Sequence, residues 1–134
     1  MSVESNKAMV RKVVQAFNSP DWEREIANFT MINSNPEQQK QFVTEHRAFR
    51  KAFPDYHAEI LELFGEGDKV AVVSKITGTH RAEFPYYELK GVRATDLKLE
   101  WNEVQIFEFQ GDAFDVPHFM VDGVGRLKQL GVLP

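Results

Sequence analysis

Apolar positions recur at helical spacing up to Pro54 and at alternating spacing after it. Met9, Val10, Val13, Val14 and Phe17 mark the buried face of a first amphipathic helix, which Asn18-Ser19-Pro20 stops. Asp21 is placed to cap a second, shorter helix carrying Trp22 and Ile26, and residues 29–32 follow as a brief extended piece. Asn35-Pro36-Glu37-Gln38 has the makings of a helix start: Asn as cap, Pro at the first helical position, an acid in the first turn and Gln where a capping box needs it. Phe42, His46, Phe49 and Phe53 line one stripe of that third helix, which Pro54 ends. Beyond it, alternation predicts strands over 56–64, 69–80, 97–109 and 113–120, with Gly65-Glu66-Gly67-Asp68 as the first turn and a short apolar-periodic segment at the end. Helices first and antiparallel strands afterwards is an α+β pattern, with helices on one face of a strongly curved sheet that can close into a cone around a cavity.

The third strand puts Leu97, Leu99, Trp101, Glu103, Gln105, Phe107 and Phe109 on one face. Gln110-Gly111-Asp112-Ala113 reads as the turn that follows, setting Phe109 opposite Phe114, Phe107 opposite Val116 and Gln105 opposite His118. The same register sets Glu103 opposite Met120 and Trp101 opposite Asp122. Glu103, Gln105, His118 and Asp122 would then gather on one apolar surface, costly to bury without partners or a ligand, and so a pocket wall. Pro117 complicates this strand, because it removes a ladder donor and suggests an edge position or a bulge that shifts the register.

At 134 residues with 43% hydrophobic content, the chain suits one compact domain over 1–134. Eleven phenylalanines, two tryptophans and three tyrosines can fill a core or line a cavity for an apolar ligand. A net charge of -4, with Lys and Arg interspersed among acids, leaves no basic stripe to neutralise phosphates, so nucleic acid is not an expected partner. The absence of cysteine removes disulfides, thiolate nucleophiles and cysteine metal sites together. With no signal-peptide pattern at the start and no long apolar run, the expected location is the cytoplasm and no membrane is an expected partner.

To move protons near neutral pH, Asp122 needs a dry setting, which Trp101, Met120 and the neighbouring phenylalanines would supply. Its alternative use is as the cap of the C-terminal helix, a position that favours Asp. His118 can hydrogen-bond a substrate carbonyl or tune Asp122, or be a satisfied core histidine. Glu103 can share acid and base work with Asp122, as epoxide hydrolysis would need, or pair with Arg93 or Lys75. His46 sits in an apolar stripe and reads as core, His57 as solvated, and His80 as either a cavity residue or part of an exposed edge. Four histidines in four separate elements, without a His-Glu-x-x-His pattern, give no metal site, and no phosphate-binding glycine loop is present.

Four segments carry a family resemblance: "AFNSPDW", "FRKAFPDYHAEI", "GDKVAVVSKITGTHRAEF" and "VDGVGRLKQLGVLP". In this order and spacing they resemble the SnoaL-like polyketide cyclases, within the nuclear-transport-factor-like cone superfamily that also holds ketosteroid isomerases and limonene-epoxide hydrolases. The resemblance covers nearly the whole chain. It implies a cone-shaped α+β domain, commonly a homodimer, acting on a small hydrophobic molecule without cofactor or metal. It further implies that Asp122 is the acid/base group of an intramolecular aldol closure, that His80 lines the pocket, and that Asn33 supplies a polar group after the second helix. The chain departs from the family where His118 stands in place of a frequent Trp, and where Phe107 stands in place of a histidine found in some cyclases.

Overall fold

The computed structural model describes residues 2–32 and 34–134. Four α-helices, α1 (Val3–Asn18), α2 (Trp22–Ile26), α3 (Pro36–Ala52) and α4 (Gly123–Gln129), accompany four strands, β1 (His57–Glu66), β2 (Lys69–Thr79), β3 (Lys98–Gln110) and β4 (Ala113–Val121). A short 3-10 turn, Tyr87–Leu89, interrupts the long connection from β2 to β3. The strands form one antiparallel sheet in the order β1-β2-β3-β4, so the α+β class expected from the change of period is the class observed.

Local chemistry explains the helix starts. At α3, Asn35 Oδ1 accepts the N–H of Gln38 at 2.8 Å and the Gln38 side chain accepts the N–H of Asn35 at 3.3 Å, a reciprocal capping box behind the N-terminal proline. Ser2 and Ser5 make the same exchange at α1. At the other end of α1, Asn18 grips both backbone groups of Ala58: its Nδ2 donates to the carbonyl at 2.8 Å and its Oδ1 accepts the N–H at 2.7 Å.

The chain divides into two compact units. The first comprises Met1–Ser34, Ala58–Lys75 and Asn102–Val121. Its core joins Val10 and Val13 of α1, Val70 and Val72 of β2, and Phe107, Phe109 and Phe114 of the β3–β4 hairpin. The extended piece after α2 is confirmed as a bridge between Met31 and Phe114.

The second unit comprises Asn35–His57, Ile76–Trp101 and Asp122–Pro134. Here the rings of Phe49, Phe53, Phe84 and Trp101 form a continuous aromatic core, with Phe49 edge-on to both Phe84 and Trp101. Gly78 matters to it, because a Cβ there would lie 3.0 Å from the Phe53 ring. A larger residue would push Phe53 off β2.

The hairpin register departs from strict alternation. Phe109 faces Phe114 as expected, but a bulge between Ile106 and Glu108 shifts the ladder, so that Ile106 faces His118, Gln105 faces Phe119, Val104 faces Met120 and Glu103 faces Val121. Val116 and Pro117 together oppose Phe107, and Pro117 has no N–H to give the ladder, which is why the extra residue sits there. The expected pairs Gln105–His118, Glu103–Met120 and Trp101–Asp122 do not form.

Candidate functional site

In the second unit, buried parity along β2 runs through Ile76, Gly78 and His80, while β3 contributes Leu99 and Trp101. Trp101, 3% exposed, packs edge-on to Phe53 at 5.3 Å, and Phe53 lies 5.5 Å from the His80 ring. α4 lays the Arg126 guanidinium over Trp101, 4.9 Å from the ring centre. A run of four side chains thus extends from Arg126 through Trp101 and Phe53 to His80, with a cationic group at one end and an imidazole at the other.

His80 is fully buried. Its Nδ1 lies 3.1 Å from the Thr95 hydroxyl, while Nε2 meets no hydrogen-bond partner among the described residues. Its backbone is pinned on both sides, donating to Leu97 and accepting from Asp96 at 2.9 Å each. Burial pushes the imidazole pKa below its ordinary value, against a smaller upward pull from Asp96, so the ring is neutral at pH 7. The exposed-edge alternative for His80 is therefore excluded.

Arg126 is 5% exposed. Its Nη2 bonds to Glu88 Oε1, whereas its Nε is buried without a partner among the described residues. Glu88 comes from the 3-10 turn, whose first residue, Tyr87, holds φ at 60° and donates its hydroxyl to Glu45 at 3.0 Å. Gly123 makes room for this pair, since a Cβ there would stand 3.0 Å from the Glu88 carboxyl carbon. Glu88 and Arg126 carry no sequence signal: 38 positions separate them, and neither belongs to a motif.

Asp122 precedes α4 and is exposed, which corrects the expectation of a water-shielded group. Its Oδ1 accepts the Gly125 N–H at 2.8 Å, so the capping use is the one observed. β4 ends at Val121, and the carboxylate caps the first turn of α4. Its Oδ2 makes no hydrogen bond to another residue among those described.

The remaining site residues lie in the first unit. Phe107, 1% exposed, packs against Phe109 and Phe114 in the core of this unit. Glu103 and Gln105 are half-buried on the same side of β3 as Phe107, while His118 is exposed and leaves on the opposite face with Ile106. The single wall expected from Glu103, Gln105, His118 and Asp122 is not formed. Lys75, a possible partner of Glu103, reaches Glu59 at 3.4 Å. Asn33 lies outside the described residues. Two open hollows of about 410 and 470 Å³ occur in this unit, and neither is lined by any of these side chains.

Of the other histidines, His57 is exposed as expected. His46 is packed between Phe42 and Phe49, and burial, helped by the charge of Arg50, lowers its pKa to about 3. Among the described residues no group of His, Asp or Glu is arranged to hold a metal ion, and no helix is long and apolar enough to cross a membrane.

A family model described as SnoaL-like polyketide cyclase matches residues 7–130. The chain belongs to this family. Solved structures similar to this SnoaL-like chain include AclR, a candidate hydroxylase from Streptomyces galilaeus, with 26% identity, a TM-score of 0.79, and coverage of 99% of this chain and 100% of that one. A candidate SnoaL-like polyketide cyclase from Jannaschia sp. CCS1 has 15% identity and a TM-score of 0.76, covering 100% and 97%. IdmH, a candidate polyketide cyclase from Streptomyces antibioticus, has 18% identity and a TM-score of 0.68, covering 92% and 96%. No curated protein matches the chain significantly. The family match covers the first three quoted segments and the fourth as far as residue 130, and includes both His80 and Asp122.

Proposed function

We propose that this SnoaL-like chain is a cofactor-independent enzyme of the cyclase or isomerase type, acting on a small hydrophobic carbonyl or polyketide-like compound, with Asp122 moving the α-proton. The observation that carries this reading is the state of Asp122 within the matched family span: Gly125 fixes one carboxylate oxygen, and the other is open to a ligand. A fixed, unshared oxygen is what a proton acceptor requires. Its exposure means that the substrate itself must displace the water, lying over the first turn of α4 while its apolar body packs on aromatic surface. Removing the α-proton places charge on the carbonyl oxygen, which a buried donor stabilises. His80 fits that role in the same unit: in the tautomer in which the Thr95 hydroxyl donates to Nδ1, the neutral ring would carry its proton on the partnerless Nε2.

Hydrogen–deuterium exchange at the α-carbon of cyclic ketones, followed by NMR in heavy water, tests the reading. Asp122→Asn keeps an acceptor for the helix cap and removes the base, so exchange should fall by about 10²-fold or more with the fold intact. Exchange at the parental rate in that variant would sink the proposal. It would favour the second reading, a non-catalytic module that binds the same class of ligand, which the exposure of Asp122 supports.

A further inference from the structure

In the first unit, β1 is an edge strand of the sheet, and α1 runs beside it with Asn18 engaging both backbone groups of Ala58. Strict alternation would put Ile60 and Leu63 on opposite faces of β1, yet both pack against the core cluster. The strand therefore slips by one residue at Leu61 and Glu62, which are exposed in succession. A slip of this kind at a sheet edge re-aims side chains. Here it leaves Ile60, Leu61 and Leu63 all bordering one open hollow of about 470 Å³, with Leu61 47% exposed.

The other wall comes from α1. Arg11, Val14, Gln15 and Asn18 recur three and four positions apart and so share one stripe of the helix, while Val10, Val13 and Phe17 form the stripe that packs in the core. Asn18 is committed to Ala58 and closes one end of the hollow. Arg11 carries the only charge in the lining, and no acid is there to neutralise it. Neither Arg11 nor Gln15 forms an ion pair or a side-chain hydrogen bond among the described residues, and Lys7, one turn back, is already paired with Glu4 at 3.5 Å. An exposed guanidinium fork beside aliphatic side chains matches a carboxylate on a hydrocarbon chain: the fork and the Gln15 amide donate to the head, and Val14, Ile60, Leu61 and Leu63 cover the chain. An ammonium head would meet like charge there, and an alcohol would leave the cation unbalanced.

We infer that the hollow between α1 and β1 is a binding site for a medium-chain aliphatic carboxylate, with Arg11 holding the carboxylate and the aliphatic side chains of β1 covering the chain. The inference does not rest on the proton-transfer reading, since neither Asp122 nor His80 lines the hollow.

Three probes with the same hydrocarbon chain and different heads test it: octanoate, octanol and octylammonium. Each is titrated against the full isotope-labelled chain, and the backbone amide shifts are followed by NMR. Octanoate should bind saturably, with the largest shifts at Val14, Gln15, Leu61 and Leu63, whereas octanol should bind about fivefold or more weakly and octylammonium more weakly still. Shortening octanoate to hexanoate should weaken binding by about tenfold, because two methylenes leave the aliphatic wall. Arg11 is exposed, so Arg11→Gln leaves the core untouched; it should lower octanoate affinity by about fivefold or more and change octanol by less than about twofold. No saturable octanoate binding, shifts centred away from α1 and β1, octanol binding as tightly as octanoate, or an unchanged octanoate affinity in Arg11→Gln each overturns the inference.

Discussion

Phe107 stands opposite two residues of β4, Val116 and Pro117, and beyond that bulge every β4 side chain changes face. The consequence is an unequal hairpin: Phe107 at 1% exposure inside, Met120 at 71% outside. Phe107→Ala should cost about 3–5 kcal/mol, because it opens a cavity among Phe109, Phe114 and the α1 valines. Met120→Ala should stay within about 0.5 kcal/mol, as exposed positions do. Urea unfolding of both variants checks the register directly. Comparable losses would mean that Met120 is an interior residue and that the bulge is absent.

The cap that holds Asp122 can be broken without touching the carboxylate itself. A Cβ at position 125 would overlap Asp122 Oδ2, and the exposed side chain has open space into which to swing. Gly125→Ala should lose the cap, about 1 kcal/mol. It should regain a similar amount, about 1 kcal/mol, from the better helix former. Stability is thus expected to change little while α-proton exchange falls by about tenfold or more, the sensitivity to misplacement that positioned groups show. A Gly125→Ala protein that exchanges at the parental rate would show that the orientation of Asp122 is irrelevant.

These two cases also mark where the sequence could be read and where it could not. The α3 start was legible because every participant, Asn35, Pro36 and Gln38, lies within four positions. The same holds for strand alternation and for the Asp122 cap. Register beyond Pro117 was not legible, because one inserted residue exchanges the two faces and only the missing proline N–H hints at it. His80 shares parity with the buried residues of β2, so its burial was within reach, but its open Nε2 depends on Thr95, 15 positions away. The Arg126–Glu88 pair is purely tertiary and leaves no periodic trace.

His46 makes the stability depend on acidity. Its pKa in the folded chain is about 3, against an ordinary value of 6.5, owing first to burial and then to Arg50. Above pH 6.5 neither state binds the proton. As pH falls below 6.5 the unfolded chain takes it up and the folded chain does not, so stability declines down to about pH 3. The slope from this one group is at most about 1.4 kcal/mol per pH unit. His46→Phe keeps an aromatic ring between Phe42 and Phe49 and should flatten that slope. Urea midpoints measured from about pH 4 to pH 7 compare the two proteins, and His80, whose burial acts with the same sign, cancels between them. Parallel slopes would rule out His46 as the source.

Burying Arg126 against Glu88 binds their fates together. Arg126→Met retains much of the apolar contact with Trp101 but leaves a partly covered carboxylate facing a thioether, so it should cost about 2–4 kcal/mol, at or below the range for an orphaned buried charge because Glu88 keeps some solvent. Glu88→Gln should cost less, about 1–2 kcal/mol, because the amide oxygen still accepts from Nη2. Combining Arg126→Met with Glu88→Leu removes both charges and should be less harmful than Arg126→Met alone, since the penalty of the first change is the stranded carboxylate. A double-mutant cycle built from these variants by urea unfolding measures the coupling. Strict additivity would mean that the two side chains do not share a buried contact.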